Sequence, residues 1–242
     1  MASGASAHAG YGGAHTNACA QCTVRHRAIC SAVEFDRIDD LDALVAHRDL
    51  PSGRSIFEEG DASGTVYNIS AGEVRLFKLL PDGRRQITGF LRAGDFLGLS
   101  SHGVYAYSAE AMTKVSLCIF RVGELERLFD AFPRVRERLL EKANDELAAA
   151  QEQMLLLGRK TAREKLLSFL LVRARHEDDD GIDTAISVPM TRADIADYLG
   201  LTVETVSRTF TALRDDGLIR TPSPNRVELA DLDRIEDIAG AY

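Results

Sequence analysis

Residues 199–208 read Leu-Gly-Leu-Thr-Val-Glu-Thr-Val-Ser-Arg, and this stretch decides the fold of the C-terminal third of the chain. Gly200 permits a sharp turn, because glycine accepts positive φ, and Thr202 can cap the helix that follows. The apolar spacing predicts a first helix over about 192–199 and a second helix running to about Asp215. Two short helices joined by a tight glycine turn indicate a helix-turn-helix.

The second helix has an apolar face and a polar face. Val206, Phe210 and Leu213 recur at spacings of four and three, so they are expected to anchor the helix in a core. The opposite side carries groups that can pair with guanine or cytosine edges and touch phosphates. The candidate DNA contacts are Val203, Glu204, Ser207 and Arg208.

An ordinary helical hairpin with a solvated polar face is the alternative explanation of this pattern. Two predicted strands argue against it, since residues 218–220 and 226–229 flank a Pro/Asn turn as the strands of a β-wing do. We therefore expect a winged helix-turn-helix domain over 159–242, with double-stranded DNA as its partner.

Composition narrows the functional classes further. The chain has 242 residues, 45% of them apolar, and a formal net charge of −8, so indiscriminate coating of nucleic acid is not expected. No apolar run approaches the length of a membrane span, which predicts a cytoplasmic protein without membrane contact. The sequence has no phosphate-cradling glycine loop, nucleophile elbow or His-Glu-x-x-His helix, so we do not expect an enzyme.

The segment from about Leu50 to Phe120 consists of short apolar runs broken by glycines, which indicates an antiparallel β-barrel or sandwich. Pro81-Asp82-Gly83 predicts a tight reversal within it. The strand candidates around this turn are 66–69, 74–79 and 85–91. The predicted fold class is α+β, and the expected divisions are a flexible arm over 1–18, a cysteine cluster with β-barrel over 19–123, a dimerisation helix over 124–158 and the DNA-binding domain over 159–242.

The predicted long helix carries an apolar stripe whose members alternate spacings of three and four, as in a heptad seam. These positions are Leu140, Ala143, Leu147, Ala150, Met154 and Leu157. Parallel pairing with a second copy is the preferred interpretation, because the helix is longer than a small barrel could cover. Packing on its own domain is the alternative. A seam thinned by alanines predicts a weak homodimer that a stimulus can control.

Four cysteines are candidate metal ligands: Cys19, Cys22, Cys30 and Cys118. In a cytosolic chain such a set favours metal binding or redox chemistry over structural disulfides. The first two have C-x2-C spacing and the third follows after a short loop. Four thiolates suit either a [4Fe–4S] cluster or a structural zinc ion. For Cys118, which lies in an apolar predicted strand, a small buried hydrophobe is the alternative.

Residues 199–208, together with the glycine-punctuated segment 89–98, resemble the superfamily of the cAMP receptor protein and the fumarate–nitrate-reduction regulator. The resemblance extends from about Cys19 to Leu229. It implies a cyclic-nucleotide-binding-like jelly-roll β-barrel, a long dimerisation helix and a winged helix-turn-helix. It also implies that Glu204, Ser207 and Arg208 read an inverted repeat similar to TTGAT-N4-ATCAA, with the recognition helices of a dimer roughly 34 Å apart.

The cysteine arrangement resembles the iron–sulfur branch of this superfamily, although seven residues separate Cys22 from Cys30. That branch implies an oxygen-labile [4Fe–4S] cluster that controls dimerisation and DNA binding. A zinc-stabilised or redox-thiol regulator without a cluster is the alternative. cAMP is not expected, because the segments 98–100 and 107–108 lack the arginine of nucleotide-binding members. The resemblance further implies RNA polymerase contacts near 84–86 and after Asp95.

Overall fold

The computed structural model describes residues 17–100, 102–177 and 184–240. Most of the predicted arm, 1–18, lies outside the described residues. Three units follow one another along the described chain: a β-domain, a pair of helices and a winged helix-turn-helix domain. Of the helices in these ranges, none is both long and apolar enough to cross a bilayer.

The N-terminal domain is built from antiparallel strands, which are β1 Ala46–Leu50, β2 Ser55–Phe57, β3 Thr65–Ala71, β4 Glu73–Leu79, β5 Arg85–Arg92, β6 Phe96–Leu97, β7 Ser108–Ala111 and β8 Val115–Arg121. They form two four-stranded sheets, in the orders β1-β8-β3-β6 and β2-β7-β4-β5. Apolar side chains from both sheets share one core. The predicted antiparallel β-domain and its strand candidates are therefore confirmed.

The β4–β5 hairpin shows how the local sequence sets this fold. Gly83 has φ 85°, and its N–H donates to the Leu80 carbonyl at 2.9 Å, closing the predicted Pro-Asp-Gly turn. The N–H of Leu80 donates in turn to the Arg84 carbonyl at 2.8 Å. This tight turn aligns two long strands whose outer side faces the C-terminal domain.

The N-terminal cysteine segment covers the outer side of the β8 sheet. It consists of three short 3-10 turns, Arg25–Arg27, Ile29–Ala32 and Phe35–Arg37, followed by helix α1 over Ile38–Asp42. Ile29 and Leu41 are buried there, in one cluster with Phe120 of β8. The segment therefore has a packed core of its own beneath it.

The expectation of one continuous dimerisation helix over 124–158 is wrong. Two helices occupy this region, α2 over Val122–Ala131 and α3 over Pro133–Arg159. Phe132 between them has φ −138° and ψ 77°, because the ring of Pro133 disfavours helical geometry in the residue before it. Pro133 itself starts α3, where the missing proline N–H costs nothing.

The C-terminal domain contains the predicted winged helix-turn-helix. Its elements are α4 Ala162–Glu177, β9 Ala185–Ser187, α5 Arg192–Leu199, α6 Val203–Asp215, β10 Ile219–Ser223, β11 Arg226–Leu229 and α7 Leu232–Ala239. The wing strands join β9 in a sheet of order β10-β11-β9. Strand β9 and helix α7 were not predicted from the sequence, although Ile186 and Val188 flank the polar Ser187 and are fully buried.

Candidate DNA interface and cysteine site

The turn of the helix-turn-helix is fixed by caps at both of its helices. The N–H of Asp194 donates to Thr191 Oγ1 at 3.0 Å, while the Thr191 N–H donates to Asp194 Oδ2 at 3.1 Å, which is a reciprocal capping box. Gly200 ends α5 with φ 62°. Thr202 then caps α6 by accepting from the Thr205 N–H at 3.1 Å. Local sequence therefore sets where α5 ends and where α6 begins.

Helix α6 separates its two faces as the periodicity predicts. Val206, Phe210 and Leu213 are buried. The four candidate DNA contacts, Val203, Glu204, Ser207 and Arg208, are all exposed to solvent. The structure thus brings the predicted base-reading groups to one free surface.

Two contacts organise the groups on this surface. Arg208 Nη2 donates to Glu204 Oε1 at 2.6 Å, one helical turn away, and Ser207 Oγ donates to the Val203 carbonyl at 2.9 Å. Arg192 of α5, which has no recognisable sequence signal, lies with its guanidinium carbon 3.5 Å from the Phe210 ring centroid. The Arg208 guanidinium therefore has a partner one helical turn away and keeps donors available for a base or phosphate.

All four cysteines line one cavity of about 220 Å³. Cys19 and Cys22 lie in the turns that begin the described chain, and Cys30 lies in the 3-10 turn Ile29–Ala32. Cys118 comes from the middle of β8. The structure therefore brings together thiols that are up to 99 residues apart in sequence, as the four-ligand hypothesis requires.

Three of the thiols in this cavity, those of Cys19, Cys30 and Cys118, have raised pKa values. Burial raises the pKa of Cys30 to about 11, with a smaller contribution from Cys22, and burial also raises the pKa of Cys118 to about 12. The pKa of Cys19 is raised by burial and by the Asp42 carboxylate. Because thiolates are the metal-binding form, occupancy by a cation requires proton release from these residues.

Asp42 and His47 add oxygen and nitrogen donors beside the thiols. The backbone N–H of Cys19 donates to Asp42 Oδ1 at 3.0 Å, and His47 Nε2 lies 3.6 Å from the same oxygen. The other ring nitrogen, Nδ1, is 3.8 Å from Cys118 Sγ. The candidate ligand atoms of Cys19, Asp42 and His47 all lie within 4.8 Å of one another. Neither residue has a local sequence signal, because the β1–β8 pairing places His47 opposite Cys118 and the fold of α1 brings Asp42 to the cavity.

The donor set fits a thiolate-bound metal centre. The four cysteines supply the ligands that iron–sulfur clusters use, and apolar side chains such as Leu41, Val45 and Phe120 complete the wall of the cavity. A thiolate site with an adjacent imidazole and carboxylate also fits zinc. The geometry therefore supports a metal centre and leaves both metals as candidates.

Helix α3 presents the predicted seam to solvent. Leu140, Leu147 and Met154 are 63%, 58% and 66% exposed, although each is a large apolar side chain. Leu157 at the end of the stripe is 36% exposed, and its Cδ2 would lie 3.2 Å from a Cβ added at Gly200. The alanines of the seam, Ala143 and Ala150, lie on the same stripe. A helix face of this kind is costly to leave in water.

Aromatic rings fill the barrel end near Gly98. Phe57 stacks on Tyr105 with ring centroids 3.8 Å apart, and Tyr67 and Tyr107 lie at 5.7 Å from Phe57. The Gly98 N–H donates to the Tyr107 hydroxyl at 3.4 Å. Aromatic side chains of this chain therefore fill the region of the segments 98–100 and 107–108, which lack the arginine of nucleotide-binding members.

Comparison with known proteins shows which family this architecture belongs to. Residues 47–132 match the model of the cyclic nucleotide-binding domain, and residues 164–238 match that of the Crp-like helix-turn-helix domain. The nitrogen fixation regulation protein FixK of Bradyrhizobium diazoefficiens is 41% identical over 92% of this chain and 94% of its own length. The chain belongs to the Crp/Fnr family.

Two further relatives support the same assignment. The transcriptional activator protein FnrL of Cereibacter sphaeroides is 39% identical over 92% of each chain. The structure of FixK2 from Bradyrhizobium japonicum superposes with a TM-score of 0.75 at 34% identity, covering 82% of this chain and 98% of that one. As a Crp/Fnr protein the chain is a DNA-binding transcription regulator and not an enzyme.

The predicted polymerase-contact region near 84–86 is partly engaged within the molecule. Arg84 is exposed at the hairpin tip and pairs with Asp82. Arg85 Nε instead donates to Asp197 of α5 at 2.8 Å, and Gln86 donates to the Tyr198 carbonyl at 3.4 Å. Only the tip of this hairpin is therefore free for another protein, because its C-terminal strand lies on the DNA-binding domain.

Replacing Arg208 should weaken sequence-specific DNA binding without unfolding the domain. We expect Arg208→Ala to cost about 1–3 kcal/mol of DNA affinity, because a bidentate base contact is worth that amount. Its exposed pair with Glu204 is worth no more than about 0.5 kcal/mol to stability. Fluorescence anisotropy on an operator duplex and thermal denaturation measure the two effects.

Arg234→Ala is the matched control, because it removes one exposed positive charge from α7, away from α6. It should leave operator affinity within about twofold of the unchanged protein at equal salt. Equal losses in the two variants would show that Arg208 contributes only general charge.

Proposed function

We propose that this Crp/Fnr regulator responds to oxygen through a [4Fe–4S] cluster held by Cys19, Cys22, Cys30 and Cys118. The observation that carries the proposal is the single cavity lined by all four residues. Three of them come from one N-terminal segment and the fourth from β8, so a bound centre would tie that segment to the β-domain. When bound, a [4Fe–4S] cluster would supply the chemistry that reacts with oxygen.

The cysteine segment is placed to pass its state to α3. Cys30 lies in a 3-10 turn that packs on the start of α3, and Ile29 of the same turn is buried in one cluster with Val135. When the four cysteine thiolates bind the cluster, the bound centre would hold this turn against α3. When the cluster is lost, the turn would no longer be held by it, and its contact with α3 would loosen.

The seam on α3 supplies the output of this coupling. Parallel pairing of two copies through the stripe from Leu140 to Leu157 would cover its exposed apolar side chains. A two-fold dimer then presents two copies of Glu204, Ser207 and Arg208 to half-sites one helical turn apart. We propose an inverted repeat similar to TTGAT-N4-ATCAA as the operator, with activation of transcription as the outcome. RNA polymerase, contacted through the exposed hairpin tip, is the proposed partner in a cytoplasmic complex.

A zinc-stabilised regulator is the second candidate, and a specific observation favours it. His47 and Asp42 add nitrogen and oxygen donors to Cys19, and zinc accepts sulfur, nitrogen and oxygen ligands. A redox-thiol regulator would use the same cysteines without a metal. Neither alternative uses cAMP, in keeping with the tyrosines packed near Gly98.

Iron and acid-labile sulfide analysis of protein purified without air distinguishes these candidates. We expect about four irons and four sulfides per chain and a brown colour, because four thiolates suit a [4Fe–4S] cluster. Colourless protein with about one zinc per chain would contradict the cluster and support the second candidate.

Single variants at the cavity test which residues are ligands. Cys22→Ser and Cys118→Ser should each lower the iron content severalfold, because serine is a poor ligand for these centres. Cys118→Ala provides the comparison for packing, since it removes the thiol while keeping a small apolar group. Full iron content in Cys118→Ala would assign Cys118 to the core and overturn its role as a ligand.

The seam is tested by placing a charge on it. Leu147→Glu should raise the dimer dissociation constant at least about tenfold, because each copy would bury a carboxylate in an apolar interface. Sedimentation equilibrium of the anaerobic, metal-loaded protein measures this change, and far-ultraviolet circular dichroism checks that the helices persist.

Leu79→Glu is the matched control, because Leu79 at the end of β4 is also 58% exposed. The same sedimentation behaviour in both variants would show that α3 does not carry the dimer interface.

A further inference from the structure

A cluster of five charged side chains joins the β-domain to the helix-turn-helix. Arg75 Nη1 lies 2.9 Å from Asp194 Oδ1, and Arg85 Nη2 lies 2.8 Å from the same oxygen. Arg75 also donates to Glu110 of β7 at 2.5 Å, and Arg85 pairs with Asp197 at 2.8 Å. Both arginines come from the β4–β5 hairpin, and both aspartates come from α5.

Asp194 uses its two oxygens for different tasks. Oδ2 accepts from the Thr191 N–H and from the Thr191 hydroxyl at 2.7 Å, which caps α5. Oδ1 accepts from both arginines of the β-domain. The side chain is only 3% exposed, so the helix start and the domain contact share one buried carboxylate.

A second set of contacts surrounds this cluster. Arg173 of α4 makes a two-pronged pair with Glu73 of β4, with distances of 3.1 and 3.0 Å. Phe90 of β5 lies against Phe169 and Tyr198, with ring centroids 6.0 and 5.1 Å away. Charged and aromatic groups therefore hold one side of the DNA-binding domain on the hairpin.

The connection between α3 and α4 leaves this domain in need of a second attachment. Helix α3 ends at Arg159, and Lys160 adopts extended geometry before α4 begins. The last turns of α3 contact the domain through buried Leu156 and through Gln153, which donates to the Tyr198 carbonyl at 2.8 Å. A single contact region beside the bend would allow the DNA-binding domain to rotate about it. The second contact region, on the β4–β5 hairpin, prevents this rotation.

The docked arrangement leaves the DNA-reading surface free. The ion cluster uses Asp194 and Asp197 of α5, while Glu204 and Arg208 on α6 are 70% and 78% exposed. Docking of the DNA-binding domain on the β4–β5 hairpin is therefore compatible with DNA binding, because it leaves the DNA-reading surface of α6 exposed.

We propose that the Arg75–Arg85–Asp194 cluster sets the orientation of the recognition helix, so that two copies match one half-site spacing. Arg75 and Arg85 are positioning residues, since they act on DNA through α5 and not by touching it. This inference rests on the proposed dimer and inverted repeat. Removing Arg85 leaves the buried Asp194 carboxylate with one arginine partner instead of two and leaves Asp197 without its ion pair. Weakening the pairing of a buried charge costs more than losing an exposed pair.

The experiment compares Arg85→Ala with Arg84→Ala, its neighbour at the hairpin tip. Arg84 is 76% exposed and pairs with Asp82 at the same hairpin tip, so Arg84→Ala removes the same charge without touching the cluster. Anaerobic, metal-loaded protein is titrated against three duplexes: the repeat with four intervening base pairs, the repeat with six, and a single half-site.

Arg85→Ala should lose about tenfold in affinity for the four-base-pair spacing and much of its preference over six. Its affinity for the single half-site should stay unchanged, because the recognition surface is intact. Arg84→Ala should match the unchanged protein on all three duplexes. Equal affinities of the two variants for the four-base-pair repeat would overturn the proposal, as would an equal loss by Arg85→Ala on the half-site.

Calorimetric unfolding gives a readout that does not depend on the operator. The unchanged protein and Arg84→Ala should unfold with the two domains coupled in one transition, while Arg85→Ala should show two. If the unchanged protein does not distinguish the spacings, the proposed operator fails, and this readout decides the inference alone. An unaltered single transition in Arg85→Ala overturns it.

Discussion

The register of β8 between β1 and β3 is the constraint on which the rest of the candidate sensor depends. Cys118 pairs with His47 on one side and with Asn68 on the other. Its neighbour Leu117 faces the barrel core, while Cys118 faces the cysteine segment. Because side chains alternate across a strand, a slip of one residue would bury Cys118 in the barrel and remove it from the cavity.

This register leads to a layered arrangement in which each layer packs against the next. The cysteine segment covers the outside of the β8 sheet and packs on α3, which carries the apolar stripe. The other sheet contacts α5 through arginines of β4 and β5. A change at the cavity therefore has a physical route to α3, while the hairpin separately restrains the DNA-reading unit.

Local signals account for the parts of the fold that the sequence predicted well. The helix-turn-helix has its caps and glycine within a dozen residues, so the predicted bounds of 192–199 and about Asp215 are confirmed. Leu166 and Leu170 of α4 are likewise fully buried, because residues four apart share one face of a helix. The break before Pro133 also has a local signal, because proline constrains the preceding residue. The helical periodicity on both sides nevertheless favoured the prediction of a single helix.

Contacts between distant segments account for what the sequence did not reveal. Arg75 and Asp194 are 119 residues apart, and nothing in either local pattern identifies the other as its partner. Asp42 and His47 join the cysteine cavity only through the fold of α1 and the β1–β8 pairing. The four cysteines were recognisable as a set because their chemistry is distinctive, whereas carboxylates and arginines occur throughout the chain.

The most direct test of the account is to follow operator affinity and bound iron in one anaerobic sample as air is admitted. If the four cysteines hold a centre that controls the dimer, affinity for the inverted repeat should fall in step with the loss of the intact cluster. Affinity that stays constant while the cluster is lost would contradict the account and separate the cysteine site from DNA binding.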